Sequence, residues 1–338
     1  MGGTTGTRRP PWGVRLVYGL RKEPDMLAMP DDELMAARDA QNRMVASGRA
    51  RIITGFPDRR ATIDWQRVGL PDRELAVRVY RPVSGRRRPQ ARLPLVLHVH
   101  GGGFVGTAVQ CDWLNSHLAG RLPAVVVSVE HRLVSPGIPF SAAVDDGWDV
   151  LRHVVRHAAR WGVDPARAVV VGESAGAAVT ALAAIRARDA GLALRAQVLV
   201  NPCADLTSTA LDYPSMTAYA TSPTLTVTRL ERFRRMAVPE GADPRAVSPL
   251  HADDLSGLAP ALVVVPALDP VADHGRAYAD RLREAGTPVH LAEYPRAGHA
   301  FLSMPRLVPA ARPARRAILS FLRDHVHPAV SSTAAGTR

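Results

Sequence analysis

The chain has 338 residues, of which 46% are hydrophobic and 22% charged, a balance that supports a buried core and argues against disorder. Its formal net charge of +12 comes almost wholly from arginine, with Lys22 the only lysine. The arginines are scattered, and Arg86–Arg88 is their only triplet. No aromatic–basic module accompanies them, so they point away from a nucleic-acid-binding protein.

Arg8 and Arg9 could open an export signal, but no apolar segment or small-residue cleavage site follows them. The start therefore reads as mature, cytoplasmic sequence. The longest apolar run, "LAPALVVVPAL" at 258–268, falls short of the ~18–20 residues that span a bilayer, so no membrane association is expected. Cys111 and Cys203 are too few for a disulfide framework, lack metal-ligand spacing and read as reduced packing residues.

In chain order, residues 31–50 carry acids first and then apolar residues at helical spacing, which predicts an amphipathic helix able to act as a lid. "ATIDWQRVGL" and "ELAVRVYRP" alternate polar and apolar residues across "PDR", predicting an antiparallel hairpin with one solvated face. Five near-continuous apolar runs follow, at 93–100, 124–133, 166–173, 196–203 and 261–269, and each suits a parallel strand buried on both faces. Helical stretches at 112–121, 141–160, 175–190 and 274–285 separate them. This βαβ rhythm predicts a doubly wound α/β sheet.

About 55 residues separate the fourth and fifth of these runs, more than one crossover helix needs. Residues 205–250 therefore read as an insertion, divided by prolines at 214, 223, 239, 244 and 249 and helical around "ERFRRMAV". A short strand and loop at 288–301 and a helix near 309–325 close the unit. The tail 328–338 has the composition of a disordered end.

"VVVGESAGAAV" at 169–179 fits G-x-S-x-G between a strand and a helix. There a tight turn exposes the serine, and small neighbours, Gly172, Ala175 and Gly176, avoid clashes. Ser174 could instead simply cap the helix, but a cap needs no flanking glycines. As a nucleophile it needs a base and a group to orient that base. Of the later histidines, His251, His274, His290, His299, His325 and His327, only His299 sits in a loop after a final strand. Asp269 ends a buried strand, where α/β active sites gather. Asp273 is the alternative, although it suits the first turn of the next helix, and Asp145 and Asp146 fit a helix before the serine. The three glycines of "HVHGGGFV" after the first parallel strand can aim backbone N–H groups at an oxyanion, and the Ala175 N–H at the helix start can add another. Each such donor contributes roughly 3–4 kcal/mol of transition-state stabilisation.

"HGGGF" (100–104), "GESAG" (172–176), "DPVADHG" (269–275) and "GHAF" (298–301), supported by "VSVEHRL" and "VSPLHADDLSGLAPALVVV", resemble the hormone-sensitive lipase family of α/β-hydrolase carboxylesterases. The resemblance covers roughly residues 25–325. It implies an α/β-hydrolase fold with a mostly parallel eight-stranded sheet flanked by helices. It also implies a core of 56–204 and 251–327, with a cap built from 1–55 and 205–250. Catalytic roles fall on Ser174 as nucleophile, Asp269 as acid and His299 as base. The oxyanion hole falls on Gly102, Gly103 and Ala175, and His100 and Gly101 support that loop. No cofactor or metal is required, the partner is a small-molecule ester, and a homodimer is possible. Departures, "EHRLVSPG" for "DYRLAPE", "GESAGA" for "GDSAGG" and "DPVADHG" for "DPLRDEG", remove no catalytic group and bear on pocket shape. Two other readings remain: an amide or acetyl-group hydrolase of a particular metabolite, with cap arginines recognising a carboxylate or phosphate, and a non-catalytic small-molecule receptor.

Overall fold

The computed structural model describes residues 10–18, 27–83 and 92–327. Arg8, Arg9, Lys22, the Arg86–Arg88 triplet and the tail from 328 lie outside the described residues. Among the described residues no helix is long and apolar enough to cross a membrane.

Among the described residues three helices precede the sheet: α1 (Trp12–Tyr18), α2 (Asp31–Ala46) and α3 (Arg51–Thr54). The helix expected over 31–50 ends earlier because Ser47 turns extended, and a short 3-10 turn follows at Gly48–Ala50. The alternating segments form β1 (Ala61–Gly69) and β2 (Glu74–Pro82), an antiparallel pair running from Ala61 opposite Pro82 to Gly69 opposite Glu74. The apolar runs become β3 (Leu93–Val99), β4 (Val125–Val129), β5 (Val163–Glu173) and β6 (Ala196–Val200). Between them lie α4 (Asp112–Arg121), α5 (Phe140–Arg156), α6 (Ala158–Trp161) and α7 (Ala175–Asp189). The single helix expected over 141–160 divides at His157, whose φ of −106° and ψ of 32° break the helical path.

After β6 come α8 (Pro214–Ala218), a small hairpin of β7 (Thr221–Ser222) and β8 (Leu225–Thr226), and α9 (Val227–Ala237). The sheet resumes with β9 (Ala261–Leu268), α10 (Ala272–Glu284) and β10 (Val289–Gly298), and α11 (Ala311–Val326) follows. The eight long strands form one sheet in the order β1-β2-β4-β3-β5-β6-β9-β10. Pairing is antiparallel at β1–β2 and β2–β4 and parallel at every later junction.

Side-chain alternation along the strands sorts the core into two layers. Val126, Val169, Val171, Val198, Leu262 and Val264 face α4 and α11, packing on Leu118, Ile318 and Leu322. Leu95, Leu97, Val127 and Val170 face α5 and α7, while Leu199 and Val263 lie with α10. Each such fully buried side chain contributes about 1.5–3 kcal/mol relative to exposure, which holds the strand ends in place. The chain leaves β3 towards β4 on one side and returns to β5 on the other. This reversal opens a crevice at the carboxyl ends of β3 and β5, where ligands of α/β sheets bind. Both the glycine loop after β3 and the serine turn after β5 leave the sheet there.

Candidate active site

Ser174 sits between β5 and α7 with φ 56° and ψ −121°, a left-handed backbone that a non-glycine residue holds only when its surroundings force it. Its N–H donates to the Val200 carbonyl at 2.9 Å, and its own carbonyl accepts the Ala177 N–H at 2.9 Å. The flanking glycines are required by close approach. A Cβ at Gly172 would lie 2.3 Å from the Gly176 carbonyl oxygen, and one at Gly176 would lie 2.2 Å from that of His100. Ser174 occupies the N-cap position of α7, yet its side chain makes no capping hydrogen bond. Its Oγ points instead to His299 Nε2, at 2.8 Å.

His299 reaches this position through an irregularity in β10. Tyr294 pairs with Pro266, the register then shifts, and Gly298 pairs with Leu268, so the next residue on each strand, His299 and Asp269, face each other. His299 Nδ1 lies 2.8 Å from Asp269 Oδ2, and Asp269 Oδ1 accepts the Val271 N–H at 3.0 Å. The Asp269 side chain is fully buried. A carboxylate only accepts, so Nδ1 carries the proton and Nε2 presents its lone pair to the serine hydroxyl.

The other candidates are engaged elsewhere. Asp273 lies in the first turn of α10, accepting the Ser215 N–H and an Arg276 N–H. Asp146 is buried on α5 and accepts from Arg73 and from both the backbone and guanidinium of Arg132. Asp145 is bonded to Arg186. His251 faces Asp205 at 3.0 Å, His274 Nε2 lies 2.8 Å from the Ala210 carbonyl, and His290 is exposed on β10. His325 lies in α11 and His327 at its C-cap. Cys111 and Cys203 are buried free thiols.

The glycine loop lies against the serine turn, since a Cβ at Gly101 would come within 3.4 Å of Ser174 Cβ. Gly102 takes φ +96°, and a Cβ there would meet the Val105 carbonyl oxygen at 1.6 Å, so only glycine fits. The Gly101 carbonyl accepts from Gln110 Nε2 at 3.1 Å and lies 3.0 Å from His100 Nδ1, and the Gly103 carbonyl accepts the Val134 N–H at 2.8 Å. His100 is buried and stacked on His131, with ring centroids 4.2 Å apart. Burial lowers both to about 4 and His98 behind them to about 3, so all three are neutral near pH 7.

Contacts that no motif announced complete the surroundings. The Phe233 ring of α9 lies against Gly103, where a Cβ would meet Cε2 at 1.9 Å. Asn42 of α2 accepts the Gly106 N–H at 2.8 Å. Pro10, Pro11 and Val14 join Ser222 and Thr224 around a small cavity of about 10 Å³ beside His299. Glu173, next to the serine, is buried and accepts the Ser303 hydroxyl at 3.0 Å. Its only signal in the sequence was the departure of "GESAGA" from the "GDSAGG" of the resembled family.

The family described by the alpha/beta hydrolase fold matches residues 96–303, a span that contains all four motifs. The chain is 37% identical over 269 residues to the carboxylesterase NlhH of Mycobacterium tuberculosis, covering 77% of this chain and 80% of that one. It is 34% identical over 258 residues to an ethyl acetate hydrolase of Pseudomonas putida, covering 75% and 79%. Among solved structures, an ester hydrolase from the metagenome of Lake Arreo, complexed with a bipyridine phosphonate derivative, superposes with a TM-score of 0.82 at 31% identity. That likeness covers 94% of this chain and 99% of the other. With this fold, these relatives and these motifs, the chain belongs to the hormone-sensitive-lipase-like family of α/β-hydrolases and is a carboxylic ester hydrolase.

Proposed function

We propose that the protein hydrolyses esters of small to medium acyl groups through a Ser174–His299–Asp269 triad and a covalent acyl-enzyme. The observation that carries this reading is the continuous chain of two 2.8 Å contacts, Ser174 Oγ to His299 Nε2 and His299 Nδ1 to Asp269. His299 takes the hydroxyl proton as Oγ attacks the ester carbonyl. Asp269 keeps the tautomer and stabilises the imidazolium. The oxyanion rests on the N–H groups of Gly102, Gly103 and Ala175, the last strengthened by the start of α7. The carbon–oxygen ester bond breaks, the alcohol leaves with the proton from His299, and water repeats the cycle on the acyl-serine. Within the cap segments read from the sequence, residues 10–18, 27–55 and 205–250 form a two-part cap over this site, a reading supported by Phe233 against Gly103 and by Pro10 and Thr224 beside His299. The relative that hydrolyses ethyl acetate supports a short acyl group. Ser174→Ala is expected to abolish hydrolysis of p-nitrophenyl acetate and butyrate while leaving thermal unfolding unchanged; a variant that kept wild-type rates would remove the serine from the mechanism.

A second reading, hydrolysis of an acetylated or amide-linked metabolite, rests on a cavity of about 680 Å³ lined mostly by the 205–250 insertion, with Arg234, Arg235, Arg245 and His251 beside Glu240 and Asp243. Turnover of paired O-acetyl and N-acetyl substrates, with and without a carboxylate, separates the two.

A further inference from the structure

One buried ionisable group next to the nucleophile plays no part in the mechanism above. Glu173 is the last residue of β5, 4% exposed, and its carboxyl faces away from solvent. Oε2 accepts the Ser303 hydroxyl at 3.0 Å, and Oε1 is buried with no hydrogen-bond partner among the described residues. Ser303 ends the short turn Phe301–Ser303, four residues after His299, so this bond crosses from the serine turn to the histidine loop. Glu173 also packs under the glycine loop, since a Cβ at Gly101 would lie 3.0 Å from its carbonyl oxygen and 3.4 Å from its Cγ. One side chain therefore meets all three segments that must stay in register.

We propose that Glu173 is a positioning residue: through Ser303 it ties the loop bearing His299 to the turn bearing Ser174. This rests on the triad reading above. Burial raises the Glu173 carboxyl above its ordinary range, against the pull of the Ser303 hydrogen bond and of His299. The remaining ionisable neighbour is the Cys111 thiol, which burial and then the charge of Glu173 hold well above its ordinary range, so it stays neutral.

The test compares Glu173→Ala, Glu173→Gln and Ser303→Ala with wild type, using p-nitrophenyl butyrate. Glu173→Ala and Ser303→Ala each break the tie and are expected to lower kcat roughly tenfold with KM within about twofold, the loss that small misplacements of reacting groups produce. Glu173→Gln keeps an oxygen that can accept the Ser303 hydroxyl and should restore most of kcat. A wild-type kcat in Glu173→Ala, or a Glu173→Gln enzyme as slow as Glu173→Ala, overturns the proposal. Should Glu173→Ala fail to fold, Ser303→Ala decides, a wild-type kcat there again overturning it. Fluorophosphonate labelling keeps the two readings apart: wild type that neither labels nor hydrolyses sinks the serine-esterase reading, whereas labelled wild type with indistinguishable variants sinks only the role of Glu173.

Discussion

Ser174 holds a left-handed φ of 56° that costs on the order of 1–3 kcal/mol, and the cost is met by a hydroxyl freed from helix capping and aimed at His299. The triad reading predicts different losses for its members. Asp269→Asn can still meet His299 Nδ1, but as a donor, so the imidazole is held in the wrong tautomer. This variant is expected to lose roughly ten-thousand-fold in kcat with its fold intact, as steady-state kinetics beside thermal unfolding would show. A loss under about tenfold would mean that Asp269 does not orient the base. The meeting of these residues was largely legible in the sequence, because G-x-S-x-G, the glycine loop and "GHAF" are local patterns tied to strand ends. Glu173 and Ser303 were not: their contact joins positions 130 residues apart, and a lone serine after "GHAF" carries no pattern of its own.

At the scale of elements, the site depends on how closely α5, α7 and the glycine loop approach. A Cβ on Gly147 of α5 would lie 2.4 Å from Val179 Cγ1 of α7, so the two helices cross with no room for a methyl group. Gly147→Ala should therefore destabilise the protein by roughly 1–3 kcal/mol, read as a lower denaturation midpoint with unchanged slope; unchanged stability would show that this crossing is loose. The strands and their parallel order followed from apolar runs because burial on both faces removes any polar alternation. Boundaries were less legible. β10 was expected as a short strand, yet it runs from Val289 to Gly298 across the register shift that presents His299. That shift comes from re-pairing with β9, which hydrophobic periodicity does not encode. The hairpin of Thr221–Thr226 in the insertion was hidden in the same way, since two-residue strands carry no period.

Across the whole molecule, three neutral histidines, His98, His100 and His131, are packed behind the glycine loop with folded values of about 3, 4 and 4. In the unfolded chain they titrate near 6.5, so below that pH the unfolded state binds more protons. Their contribution to stability is whole above pH 6.5 and is lost as pH falls towards 4. Thermal midpoints should thus drop between pH 7 and 5, and His98→Asn should show a shallower drop; an equal drop would mean that these groups titrate alike in both states. The packing of α1, α2 and α9 around the catalytic loops was the least legible part, because it joins distant segments of ordinary amphipathic composition. The claim that unites these scales is a covalent serine mechanism at the carboxyl ends of β3 and β5. Peptide mapping by mass spectrometry after fluorophosphonate inactivation tests it most directly. A single adduct is expected, on Ser174, formed in step with loss of esterase activity and absent from the Ser174→Ala protein. An adduct on another residue, or full inactivation with Ser174 unmodified, would contradict it.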